Sequence, residues 1–143
     1  MVCILTVGKK LSSSSWLSPA YSQYSARLLP AGVSLETVLH KSDAALLASV
    51  AAAAGPVVLL SEEGEQLDSE AFGELLYGGL EEGGSRLAFV IGGADGLPPE
   101  LRGSGRRKIS LSRMTFTHQF ARVMLAEQIY RASEIRKGSN YHK

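Results

Sequence analysis

Five short apolar runs, at residues 2–7, 33–39, 56–60, 87–91 and 108–111, are spaced along the chain with longer stretches between them. Each is rich in Val, Ile or Leu and has the length of a strand. The stretches near 16–28, 43–53 and 69–80 read as helices. Parallel strands need a crossover of a dozen or more residues, usually helical, whereas antiparallel strands need only a turn. The alternation therefore predicts an α/β fold, a mostly parallel sheet with helices on both faces. With no repeat and no low-complexity linker, the 143 residues read as a single domain, 1–143.

Several function classes fall away early. The longest apolar run, residues 44–60, is alanine-rich and broken by Ser49, Gly55 and Pro56, so no segment reads as a membrane span. The amino terminus has no signal-peptide or transit-peptide pattern. A cytoplasmic protein is expected, or an organellar one whose transit peptide has been removed. The single cysteine, Cys3, lies inside the first strand; it excludes an internal disulfide and a cysteine-based zinc site, and no metal is expected. A buried free thiol, compatible with a reducing compartment, is the reading.

In parallel sheets the ligand lies beyond the carboxyl ends of the strands. After the run at 87–91 comes G-G-A-D-G, with Gly92, Gly93 and Gly96 able to bring backbone close to a ligand. A plain tight turn at Asp95-Gly96 accounts for the same residues equally well. Position 94 is alanine, so the dinucleotide pattern G-x-G-x-x-G is absent, and no Walker lysine is present. After the run at 108–111 comes S-R-M-T-F, residues 112–116.

The net charge of +1 hides an uneven distribution. Residues 1–101 carry five Lys/Arg against twelve Asp/Glu, a balance of −7, and residues 102–143 carry ten against two, a balance of +8. A basic carboxyl-terminal third suggests a polyanionic partner, nucleic acid first; a solvated face neutralised by the acidic part is the alternative.

The last helix is expected over 117–137, capped by Thr115 or Thr117 and ended by Gly138. Phe116, Phe120, Val123 and Met124 form one apolar stripe, with Leu125, Ile129 and Ala132 beside it. Such a width suits a simple core, the commoner case, and is also enough for the sheet and a second subunit together. A helix of this length spans roughly 30 Å, and six extended residues reach at most roughly 20 Å. The tail bearing Tyr141 and His142 therefore falls short of the 112–116 loop of its own subunit. Any work it does at that loop is expected in a neighbour's site. Among other residues, Glu127 is expected to pair with Arg131, His118 to cap or support the loop, His40 to lie at the surface and Trp16 in the interior or an interface.

F-V-I-G-G-A-D-G-L, then I-S-L-S-R-M-T-F-T-H-Q-F-A-R-V-M-L-A-E-Q-I-Y-R-A, then the closing Y-H-K resemble the ribosomal RNA large subunit methyltransferase H family of the SPOUT superfamily. V-G-K at 7–9 and Q-Y-S-A-R-L at 23–28 extend the likeness. The resemblance implies a SPOUT-type parallel-sheet fold with a carboxyl-terminal trefoil knot and a homodimer. It implies S-adenosylmethionine as methyl donor and N3 of a pseudouridine in large-subunit ribosomal RNA, on the ribosome, as acceptor. By position, Leu60, Gly92, Gly93, Gly96, Leu111, Ser112, Arg113, Met114, Thr115 and Phe116 are the expected cofactor residues. Tyr141, His142 and Arg122 are the expected catalytic ones, and Arg131, Arg136, Lys137 and Lys143 are expected to meet RNA. The chain departs from the pattern at Thr117, proline in many relatives, at Ser61, acidic in many, and in a shorter segment between the second and third strands. A SPOUT methyltransferase acting on transfer RNA and a ribosome-binding assembly factor without transfer activity remain alternative readings.

Overall fold

In the computed structural model, which describes residues 1–12 and 14–143, the five apolar runs become β1 (Val2–Val7), β2 (Leu35–His40), β3 (Val57–Gln66), β4 (Leu87–Ile91) and β5 (Lys108–Ser110). All pair in parallel in the order β2-β1-β4-β3-β5. β4 is buried along its whole length, which is why Leu-Ala-Phe-Val-Ile shows no polar alternation.

The helices are α1 (Leu17–Leu28), α2 (Asp43–Ala51), α3 (Ser69–Glu82), a short α4 (Pro99–Arg102) and α5 (His118–Lys137). Their ends obey local chemistry. Asp68 accepts from the Ala71 amide at 2.8 Å, Ser42 from Ala45 at 3.2 Å and Thr117 from Phe120 at 3.2 Å. Each satisfies one amide that the first helical turn leaves free. Gly138 closes α5 in the left-handed region with φ +78°.

Alternate side chains of the sheet feed two cores. Val2, Ile4, Phe89 and Ile91 pack with α1, α3 and α5 through Leu28, Phe72, Leu76, Leu125 and Ile129. Leu5, Leu59 and Val90 pack on the other face with Leu46 and Val50 of α2 and Leu101 of α4. Each such side chain contributes about 1.5–3 kcal/mol on burial.

Three expectations change. β3 runs on through Ser61–Gln66, a polar stretch without strand periodicity, because its partner there is backbone. Ile109 is in register with Leu60 and again with Glu65, so the segment 61–66 folds over β5. His40 is buried, 9% exposed, rather than on the surface. Its Nδ1 lies 3.0 Å from the Thr6 carbonyl oxygen, which supplies the partner an imidazole needs when water is excluded. Trp16 is 69% exposed at the amino-terminal cap of α1, and so is not interior. Cys3 is free and half-buried, and burial raises its thiol pKa. Among the described residues no helix is long and apolar enough to cross a membrane.

Candidate functional site

The carboxyl ends of β4 and β5, with β3 where it leaves β4 at Leu60, open into one cleft of about 830 Å³. On one side β4 turns through Gly92–Gly96. The turn is tight: the Gly96 amide donates to the Gly93 carbonyl at 3.0 Å, and Gly96 has φ +81°. A Cβ on Gly92 would lie 2.5 Å from the Gly96 carbonyl carbon, which excludes any other residue without moving backbone. On the other side the loop after β5 is held by its serines. Ser110 Oγ donates to the Ser112 carbonyl at 2.9 Å, and the Met114 amide donates to Ser112 Oγ at 3.0 Å. Leu60, Ile91 and Leu97 supply buried apolar wall, and Phe116 extends it toward solvent.

Nine of the ten residues expected to bind a cofactor line this cleft: Leu60, Gly92, Gly93, Gly96, Leu111, Ser112, Met114, Thr115 and Phe116. Arg113 is exposed and is not on its wall. Sequence reasoning passed over Glu62 and Glu63, which line the cleft from the strand extension. Their signal was available, an acidic pair just beyond the carboxyl end of an apolar strand. His118 and Gln119 line it from the first turn of α5. A Cβ on Gly8, at the end of β1, would lie 3.4 Å from His118 Nε2.

The tail lies elsewhere. Tyr141 packs edge-on against Tyr130, centroids 4.9 Å apart, and its hydroxyl donates to Glu127 Oε1 at 3.0 Å. Burial and the Glu127 carboxylate together push the phenol pKa up to about 12. Tyr141 is therefore a hydrogen-bond donor at neutral pH. Arg131 ties the cluster together: it pairs with Glu127 at 2.7 Å, lies over the Tyr141 ring at 4.8 Å and meets His142 Nδ1 at 3.1 Å. Arginine has donors only, so Nδ1 carries the lone pair in that contact. From His118 to Arg131 is about 20 Å along α5. The structure thus brings Tyr141, His142 and Arg131 together, and keeps them away from this chain's own cleft.

Arg122 is separate from both. It is 3% exposed, and its Nε and Nη2 have no hydrogen-bond partner. Burial lowers its pKa, with the nearby Tyr21 hydroxyl acting in the opposite sense. A buried guanidinium without a carboxylate is costly. Of the other basic residues, Arg136 lies 4.1 Å over the Tyr77 ring, while Lys137 and Lys143 are exposed. Arg107 and Glu65 form an exposed ion pair at 3.2 Å, so part of the basic excess meets the acidic part of the chain. Among the described residues no cluster of three His, Cys, Asp or Glu could hold a metal.

Comparison with known proteins places the architecture. A family model described as "Predicted SPOUT methyltransferase" matches residues 1–142. The ribosomal RNA large subunit methyltransferase H of Protochlamydia amoebophila (strain UWE25) is 45% identical over 140 residues, 98% of this chain and 96% of its own. The protein of the same name from Synechococcus sp. (strain RCC307) is 42% identical over 143 residues, 98% of this chain and 92% of its own. Among solved structures, that of a probable methylase family protein from Haemophilus influenzae Rd KW20 superposes with a TM-score of 0.57 at 13% identity, covering 99% of this chain and 70% of that one. TrmJ from Z. mobilis ZM4 gives 0.53 at 12% identity, covering 92% and 69%. At such identities the two structures speak for the fold alone.

Proposed function

The chain belongs to the SPOUT methyltransferase family, and from that premise we propose that it methylates N3 of a pseudouridine in large-subunit ribosomal RNA, on the ribosome, using S-adenosylmethionine. The observation that carries this reading is the cleft at the ends of β4 and β5 and at Leu60 of β3, lined by nine of the ten residues expected to hold the cofactor. The named relatives, each called a ribosomal RNA large subunit methyltransferase, supply the substrate class.

The residues present fit the cofactor. A cleft of about 830 Å³ is in the range that holds a ligand of this size. Leu60, Ile91, Leu97 and Phe116 offer apolar wall to an adenine ring, and Ser61, Ser112 and Thr115 offer hydroxyls. Glu62 and Glu63 line the same cleft and would offer carboxylates to a ligand with a sulfonium and an ammonium group. When bound, S-adenosylmethionine supplies an electrophilic methyl group.

The chain's own task is then to orient two reactants and remove the proton from N3 of the base. His142 takes that proton on the nitrogen that Arg131 holds in the free chain, and Tyr141, held protonated, donates to a base oxygen; both must exchange their present partners, Arg131 and Glu127, for the base. Arg122, which lies off this chain's own cleft wall, would meet the negative charge left on the ring only in the assembled dimer. The tail acts in the cleft of a second copy, since α5 separates it from its own. The family membership is what supports a knotted carboxyl-terminal region. Arg131, Arg136, Lys137 and Lys143 meet phosphates, and the compartment is cytoplasmic.

The test is transfer of labelled methyl from S-adenosylmethionine to unmodified ribosomes, comparing the full chain with one ending at Gly138. Loss on truncation, with cofactor uptake retained in calorimetry, is expected. No saturable uptake by the full chain would instead leave a ribosome-binding protein without transfer activity.

A further inference from the structure

Trp16 occupies the amino-terminal cap of α1, a position usually given to Ser, Thr, Asp or Asn, and it makes no capping hydrogen bond. Most of this large ring faces solvent. One ring packs against it. Its ring centroid lies 5.9 Å from that of Phe120, and the Phe120 centroid lies 5.8 Å from that of Phe116. Phe116 lines the cleft. The three rings make a ladder from solvent to the cleft's edge, and Met114, 73% exposed, stands on the same loop as its last member.

The charge on the two segments that carry the ladder is of one sign. The first acidic residue of the chain is Glu36, and none lies between Glu100 and Glu127, so the two segments that carry the ladder contain no carboxylate side chain. The loop leading to Trp16 begins Gly8-Lys9-Lys10, with both lysines exposed, and Arg113 is exposed on the loop leading to Phe116. Glu62 and Glu63 sit on the strand extension of β3, not on these segments. Exposed aromatic rings interleaved with cations are the chemistry that binds unpaired nucleotides: rings stack on bases, and lysine and arginine hold phosphates.

We propose that Trp16, Phe120 and Phe116 form a stacking platform for an unpaired base of RNA beside the one being modified, with Lys9, Lys10 and Arg113 holding its backbone. This deepens the proposed function, and rests on it for the choice of RNA over another polyanion. A helical duplex keeps its bases stacked on each other, so the platform selects loops, bulges and displaced strands.

Trp16 is the only tryptophan of the chain, which makes it its own reporter. Titration of the full protein with single-stranded oligoadenylate is expected to quench its fluorescence in a saturable way. Trp16→Ala should weaken binding, read by anisotropy of a labelled oligonucleotide, roughly 10- to 100-fold. Trp16→Phe should restore most of it, and calorimetric uptake of S-adenosylmethionine should be the same in all three proteins. Unquenched fluorescence at saturating RNA, or equal affinity after Trp16→Ala, overturns the proposal. So does a blue shift that tracks protein concentration without RNA, which would assign Trp16 to an interface between copies. Methyl transfer to ribosomes with an unquenched Trp16 removes the platform and leaves the function standing; quenching without transfer removes the function and leaves an RNA-binding surface.

Discussion

Arg122 and Tyr141 show how one side chain can trade stability against chemistry. Two nitrogens of Arg122 are buried without partners, and replacing a buried charge by an apolar group of similar volume is often stabilising by about 1–4 kcal/mol. Arg122→Met is therefore expected to raise the midpoint of chemical denaturation while methyl transfer to ribosomes falls. A variant that loses stability along with activity would make Arg122 a structural residue. Tyr141 carries the opposite sign. Its pKa is raised from 10.0 to about 12, so the contribution of its contact with Glu127 is fully present below about 10 and is lost as pH rises toward 12. Spectrophotometric titration of the phenols, comparing the full protein with Tyr141→Phe, should show one tyrosine missing from the highest-pH part of the curve. His40 and Trp16 show where single residues mislead. A histidine at a strand end reads as solvated until the Thr6 carbonyl is found beside it, and a tryptophan reads as core until its ring neighbour proves to be the half-buried Phe120.

The elements were legible where burial imposes a period and illegible where backbone does the pairing. β1 and β4 stand where Val, Ile, Leu and Phe demanded strands, and α3 stands on the helical stretch near 69–80. Residues 61–66 could not be read as strand, because Ser-Glu-Glu-Gly-Glu-Gln has no apolar face; its order comes from pairing with β5 after the chain has folded over it. The glycine within that stretch is the visible trace. A Cβ on Gly64 would stand 2.6 to 2.8 Å from three backbone atoms of Ile109, and backbone held in strand pairing cannot step aside. Gly64→Ala is expected to destabilise by about 1–3 kcal/mol, measured by urea denaturation. An unchanged midpoint would mean that the segment does not lie on β5. The cleft obeys the same logic. Its glycine turn and the 112–116 loop were readable from their places at the ends of apolar strands, whereas Glu62 and Glu63 reach it only through the unread extension.

At the scale of the whole molecule the geometry still to be closed is between the cleft and the tail. α5 is continuous from His118 to Lys137, and Tyr141 and His142 fold back only as far as Glu127 and Arg131. A single chain thus has the cleft proposed for the cofactor at one end of its longest helix and its proposed base near the other. Two copies resolve this if the tail of each reaches the cleft of its partner. The consequence is arithmetical. A subunit ending at Gly138 keeps its cleft and lacks a tail; a subunit with Phe116→Asp keeps its tail and has a carboxylate in its cleft wall. Each alone is expected to be inactive on ribosomes. Co-refolded in equal amounts, half of the dimers are mixed, and each mixed dimer holds one intact cleft facing one intact tail. Activity should return to about a quarter of that of the unaltered protein at equal concentration. If instead tail and cleft act within one chain, every subunit in the mixture carries a defect and no activity returns, because no pairing of copies can then assemble a complete site.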